Sequence, residues 1–293
     1  MKETEKNADA IRILVCFHKP FDMPKDPMYL PVQVGKEVSG FDLGIQGDNG
    51  PSGDHISSLN PVYCEMTAMY WAWKQIRALY PDTRYVGLCH YRRYFNANNA
   101  TVKDRVICAL KVVRETGRML RGTFQKPAIY EPQDNIKKIN TGRFRRSDRK
   151  LRDIIVSHDI VYTKPVTIIS CNVRGFFNII GKIHIDLLDE IVKEGYAAYY
   201  PFYEAVMNGN RIISSNMIIM KTEFLDSYCG FVFGVLEKHL ALTKEKGICK
   251  DPETEGSYAR VSGYLAEILT AVFVMKMKDE TNCTAVRKFF VAD

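Results

Sequence analysis

Two largely apolar runs, Ile11–Phe17 (IRILVCF, with Arg12 as its one charge) and residues 85–89 (YVGLC), constrain this chain more than any other feature. A strand with one wet face alternates apolar and polar residues. An unbroken apolar run instead belongs to a strand buried on both faces, in a sheet covered by helices. The second run continues to residue 95 as YVGLCHYRRYF, so it stops abruptly at His90, Tyr91, Arg92, Arg93 and Tyr94. Guanidinium, imidazole and phenol groups just past a buried strand are placed to meet an anion, because open α/β sheets bind ligands in the crevice at the carboxyl ends of their strands. For the Arg-Arg pair by itself, a solvated basic turn is the alternative.

The segment between the two runs supports a βαβ unit. The first strand ends at His18-Lys19-Pro20, where the proline stops the ladder. A loop containing Gly44, Gly47, Asp48, Asn49, Gly50, Gly53 and Asp54 follows, a composition suited to tight turns and to backbone approach to a ligand. Asn60-Pro61 then predicts a helix, with Asn60 as N-cap and Pro61 in the first turn, running through Glu65, Trp71 and Trp73 to about Leu79. A right-handed crossover places both strand ends on one sheet edge, so His18-Lys19 and residues 90–93 are expected to face one crevice.

The rest of the chain alternates as well. Residues 153–163 read as a helix end and a buried strand, 183–194 and 199–207 as helices broken at Gly195 and Pro201, and 214–220 as a short strand. A helix over 223–240, a long helix over 257–278 carrying Arg260, Gly263 and Glu267, and a closing strand at 286–291 complete the pattern. No repeat or low-complexity tract interrupts it.

A content of 46% hydrophobic and 26% charged residues suits a globular core and excludes a disordered chain. The polar start MKETEKNADA and the short first apolar run do not fit a secretory signal, and no apolar stretch approaches a membrane span. Both point to a cytoplasmic protein. The eight cysteines have no CxxC pair and no regular spacing, which argues against a zinc site or a disulfide framework.

The net charge of +7 is concentrated. Residues 101–150 hold fourteen Lys and Arg against five Asp and Glu, a surplus of +9, which leaves the remainder near −2. Within that segment, residues 101–122 place Val102, Val106, Leu110, Val113 and Leu120 near helical spacing. Such a helix either lies on an anionic membrane surface or packs on the core as an ordinary surface helix. The run RFRRSDRKLR at 143–152 suits a phosphate site or a solvated loop. A nucleic-acid-binding protein would use the same charge, but its aromatics would be expected to interleave with it, and Phe124, Tyr130 and Phe144 are sparse there.

Five motifs in one order carry a resemblance: HKP; GDN and GDxIS followed by NPxYCE and YWAWK; YVGLCHYRRYF; NMIIMK with FLDSYC; and ARVSGYLAE. Together they resemble a family of bacterial polysaccharide-synthesis glycosyltransferases, formerly known only as a domain of unknown function and now associated with galactofuranose transfer from UDP-galactofuranose. The resemblance implies a GT-A-like, Rossmann-like α/β fold with a mixed central sheet and a helical C-terminal half. It implies one domain over residues 1–293, with a nucleotide-binding half at 11–100, a basic insertion at 101–150 and an acceptor-binding half at 151–293. The implied partners are a UDP-sugar, a lipid-linked glycan acceptor and the anionic inner-membrane surface, met through residues 103–150; no nucleic acid is expected. A non-catalytic glycan-binding subunit with the same fold is the other reading.

With that resemblance in hand, each motif can be assigned chemistry. Many GT-A enzymes hold the donor diphosphate through a DxD motif and a divalent metal. The corresponding strand end here carries His90, Tyr91, Arg92 and Arg93 and no carboxylate. Hard cations want oxygen ligands, whereas arginine pairs bidentately with phosphate. The expectation is therefore metal-independent transfer without a cofactor, with Arg92 or Arg93 stabilising the leaving group. His18, Lys19, Asp48, Asn49, Asp54, Asn60 and Trp71 complete the candidate donor set; the carboxylates could equally be loop caps, and Asn60 a helix cap first. An inverting transfer needs a base for the acceptor hydroxyl. Asp186, in a His/Asp-containing segment that resembles the family's, is the first candidate, and Glu267 is the second. His184, Asn216 and Arg260 are the candidate acceptor contacts.

Overall fold

The computed structural model describes residues 10–100, 129–180, 183–251, 255–256 and 258–292, with positions 106, 109, 110, 113, 114 and 117 between them. In chain order the strands are β1 (Ile11–Phe17), β2 (Tyr29–Gln33), β3 (Gln46–Gly47), β4 (Tyr85–His90), β5 (Arg93–Asn96), β6 (Ile129–Tyr130), β7 (Gln133–Ile136), β8 (Ile160–Thr163), β9 (Val166–Ile168), β10 (Arg211–Ile212), β11 (Ile218–Lys221) and β12 (Cys283–Val291). As expected, β1 and β4 are parallel neighbours, with Ile11 opposite Tyr85 and Cys16 opposite His90. Their carboxyl ends therefore open at one edge.

The main sheet runs β11-β8-β12-β5-β4-β1-β2-β3, with β7 also paired to β12 and β11 also paired to β4. It is mixed: β2 is parallel to β1, whereas β11 is antiparallel to β4 and β12 to β5. Residues 11–100 and 151–293 thus share one sheet. Strands β6, β9 and β10 form a small separate antiparallel sheet.

Alternation along the strands divides the core in two. Leu14, Cys16, Val86 and Leu88 face one side, under the helices Met66–Leu79, Leu225–Glu245 and Val261–Met277. Ile13, Val15, Phe17, Cys89 and Phe289 face the other, under the helix Gly142–Val156. That helix corrects the reading of 143–152 as a solvated loop. Thr141 caps it by accepting from the Phe144 amide at 3.4 Å, and Phe144, Leu151 and Ile155 are buried against the sheet. Arg145, Arg146, Arg149 and Lys150 lie on its exposed side.

Three further expectations change. The predicted helix over 60–79 is broken at Cys64, which takes a positive φ of 52° between the helices Asn60–Tyr63 and Met66–Leu79. Asn60 is not the N-cap; its amide donates to Cys64 O at 2.7 Å and to Thr67 Oγ1 at 3.2 Å, which ties the break together. Residues 214–216 form a 3-10 turn ahead of β11 rather than strand. The last long helix begins at Val261, with Arg260 as its left-handed N-cap. Most of the predicted helix over 101–122 lies outside the described residues; Val106, Leu110 and Val113 are helical and exposed. Among the described residues no helix is long and apolar enough to cross a membrane.

Asp134 of β7 ties the last strand to the Gly142–Val156 helix. Its buried carboxylate accepts from Asn96 Nδ2 at 2.7 Å, from Arg143 Nη2 at 2.8 Å and from Arg287. Removing one member of a buried ionic network strands its partners, at a cost of about 3–5 kcal/mol. Asp134→Ala should lower the free energy of urea unfolding by that amount, and a loss within error of zero would show that the network is not stabilising.

Candidate functional site

At the edge where β1 and β4 end, a cleft of about 590 Å³ opens. It lies between the strand ends, the broken helix at Cys64 and the start of the Val261–Met277 helix, and its polar lining includes His18, Glu65, His90, Arg93, Arg260 and Glu267. This volume falls within the usual range for small-molecule sites. Arg260, Tyr264 and Glu267, at helical spacings of four and three, present one face of the helix start to the cleft.

The backbone is strained at this place. Of the six described non-glycine residues with positive φ, Cys64, Ser215 and Arg260 line the cleft, and Asn216 bonds to one of its carboxylates. Such conformations cost about 1–3 kcal/mol each and persist where surrounding contacts dictate them. Here those contacts are polar. The Ser215 amide donates to Glu267 Oε1 at 2.6 Å, and His90 Nε2 donates to Ser215 O at 2.8 Å. Asn216 Nδ2 donates to Glu65 Oε1 at 2.8 Å and to Gly263 O at 3.2 Å. Glu65 also lies 3.7 Å from His90.

Burial governs the titration of these groups. It pushes Glu267 up to about 7; the Ser215 amide bond and the Lys288 and Arg93 charges oppose this, while Glu65 adds to it. His90 is held below its ordinary value, first by burial and then by Arg93 and Lys288, against the pull of Glu65. On the cationic side, the Arg92 and Arg93 guanidiniums lie 4.9 and 5.6 Å from the Phe290 ring centre, and Arg92 Nε donates to Val291 O at 3.0 Å. Arg93 and Arg260 make no ion pair with a carboxylate among the described residues. The cleft thus combines two guanidiniums, of Arg93 and Arg260, that pair with no described carboxylate and a carboxyl group that exchanges its proton near neutrality.

The structure brings together His18, Asn60, His90, Tyr91, Arg92, Arg93, Arg260 and Glu267 from the sequence-based set. Lys19 is exposed beside it, 5.6 Å from the Tyr91 ring centre. Several candidates stand elsewhere. Trp71 is fully buried in the core, because its helix turns that face onto the sheet. Asp48 is buried as a loop pin, accepting from the amides of Gly35 at 2.7 Å and Lys36 at 3.1 Å and from Ser57 Oγ at 2.5 Å. Asp54 accepts from Tyr70 Oη at 3.0 Å on the surface, and Asn49 is outside the cleft lining. Asp186 is exposed in the first turn of the Ile185–Gly195 helix, and exposed His184 stacks with Tyr258; neither lines the cleft. Asn216 is fully buried and acts by orienting Glu65.

Glu65, Tyr264 and Ser215 were not singled out from sequence. Tyr264 was reachable from the Arg260 and Glu267 spacing, and Glu65 stands inside the NPxYCE motif. Nothing local marked Ser215, whose role comes from its backbone. Among the described residues no group of three or more His, Cys, Asp or Glu is placed to hold a metal.

A carboxyl group with a raised pKa keeps its proton in the folded state up to about 7 while the unfolded chain loses it from 4.5 upward, so its contribution to stability falls between those two values and levels off above the folded one. Glu267→Gln should therefore gain stability relative to the parent as pH goes from about 5 to about 7, at up to about 1.4 kcal/mol per pH unit, and level off above. Parallel stability curves for the two proteins would refute the raised value.

A search of curated proteins finds no match. A solved chain described as the bifunctional glycosyltransferase WbbM in its apo form has a similar fold, with a TM-score of 0.74 and 21% identity over 97% of this chain. This chain spans 46% of that one. The family described as "Domain of unknown function (DUF4422)" matches residues 12–279, nearly the whole length, and the chain belongs to that family.

Proposed function

We propose that this protein is a glycosyltransferase that moves a sugar from a nucleoside-diphosphate donor to a glycan hydroxyl, inverting and without a metal. The observation that carries the reading is the placement, in one cleft, of Arg93 and Arg260, which pair with no carboxylate among the described residues, and a carboxyl group that titrates near neutrality. The similarity of the fold to a glycosyltransferase chain and the motif pattern support it. UDP-galactofuranose is the donor that the motif resemblance favours, and a GT-A-like arrangement is the fold that goes with it.

In this reading the donor diphosphate lies against Arg93 and Arg260, with Arg92, His18 and Tyr91 at its edge. The acceptor hydroxyl oxygen attacks the anomeric carbon as the bond from that carbon to the diphosphate oxygen breaks. Glu267 takes the hydroxyl proton, and the arginines meet the charge that grows on the leaving diphosphate. This replaces Asp186 by the second candidate, because Asp186 lies outside the cleft. The donor set does not suit a divalent cation: Glu267 is held by the Ser215 amide, Glu65 by Asn216, and Arg93 and Lys288 act on the same space.

The acceptor of this reading is lipid-linked, and residues 103–150 meet an anionic membrane surface. Arg145, Arg146, Arg149 and Lys150 support this, because they form an exposed stripe with no ion pair among the described residues. Each cation near such a surface contributes about 1 kcal/mol.

Two measurements check these statements. Across a panel of UDP-sugars with and without EDTA, turnover should be selective for one donor and indifferent to chelator, and Arg93→Ala should lower kcat/KM roughly 100-fold; activity lost in EDTA and restored by magnesium or manganese would overturn the metal-free reading. Replacing Arg145, Arg146, Arg149 and Lys150 by Glu should weaken binding to phosphatidylglycerol vesicles at least about 100-fold with little effect on a soluble acceptor, and equal loss of both would refute a docking role.

A further inference from the structure

Lys288 is a buried charge beside the cleft to which this mechanism gives no part in the transfer. It is 1% exposed in β12, on the same face as Phe290, which lines the cleft two residues further along. Its ammonium is paired with Glu131 and donates to Ser214 Oγ at 2.8 Å, and Ser214 Oγ in turn donates to Glu131 Oε1 at 3.0 Å. The three groups come from the last strand, the connection between β6 and β7, and the turn before β11. Ser214 opens the turn in which Ser215 (φ 66°, ψ 21°) and Asn216 (φ 50°) both adopt the left-handed conformation.

We propose that the Lys288–Glu131 pair positions the cleft, by clamping through Ser214 the left-handed turn whose Ser215 and Asn216 hold Glu267, His90 and Glu65. The inference rests on the functional reading above only for its consequence in catalysis; the clamp itself stands on the geometry. A buried ion pair is a poor source of stability, since apolar residues of similar volume often replace one at no cost. Two consecutive non-glycine residues at positive φ do require an external hold. Three groups of the cleft, Glu267, His90 and Glu65, take hydrogen bonds from this one turn, so a small rotation there displaces all of them together. Lys288 also acts directly as a cation facing Glu267. The other charged or titratable groups around Glu267 among the described residues include Cys64 and Glu65 from the broken helix, His90 and Arg93 from β4 and β5, and Arg260 and Tyr264 at the start of its own helix.

The test compares the full-length parent with the Lys288→Met/Glu131→Leu double variant, and with Ser214→Ala, which removes only the hydroxyl link. The double variant should melt within a few degrees of the parent. In both variants the Ser215 amide should exchange with solvent at least about 10-fold faster. Carbon-13 titration should place the Glu267 midpoint at higher pH in the double variant, because a facing cation is gone. With the donor that supports turnover, kcat should fall roughly 10- to 100-fold with KM little changed, and the acidic limb of the pH profile should follow the Glu267 midpoint. Unchanged Ser215 exchange together with an unchanged Glu267 midpoint overturns the clamp. If both move but the parent transfers no sugar, the clamp stands and the glycosyltransferase reading fails. If the double variant does not fold, Ser214→Ala decides by the same exchange measurement.

Discussion

Strand β12 is the element on which the rest of this structure depends, because its two faces bury opposite kinds of work. Arg287 and Phe289 turn toward the Gly142–Val156 helix, where Asp134 gathers Arg287, Arg143 and Asn96. Lys288 and Phe290 turn toward the cleft, where Lys288 meets Glu131 and Phe290 supports the guanidiniums of Arg92 and Arg93. Charge can be buried at this density only if each group has a partner. The strand also pairs with β5, β7 and β8, so the basic helix and the cleft are referred to one piece of backbone.

The cleft is correspondingly polar and tightly held. Its carboxylates take bonds from a strained turn, and its Arg93 and Arg260 pair with no carboxylate among the described residues. That asymmetry gives the site its chemical sense. Glu267 is fixed and desolvated, which moves its proton affinity toward neutrality, and Arg93 and Arg260 stand in the same cleft.

Much of the fold was legible because hydrophobic period is a local property. Ile11–Phe17 and residues 85–89 announce buried strands, and the crossover rule places their ends together, which is where His18, His90 and Arg93 line one cleft. The errors arose where tertiary contacts override local preference. Asn60 looks like an N-cap and instead closes a break, because Cys64 turns the chain so that Glu65 can enter the cleft. Residues 143–152 look solvated by composition, yet Phe144, Leu151 and Ile155 at helical spacing were enough to bury one side. Asp48 and Trp71 carry the right chemistry for a ligand, but loop amides and the core already use them.

By itself the sequence determined the strand ends, the cationic character of the edge they form and the family to which the motifs point, since these follow from short-range pattern and residue type. Only the tertiary structure decided which carboxylate stands across from the arginines. Asp186 and Glu267 are both acidic residues on helices in the second half of the chain. Helix packing leaves the first exposed to solvent and aims the second at the Ser215 turn, and such packing is set by contacts between residues far apart in the chain.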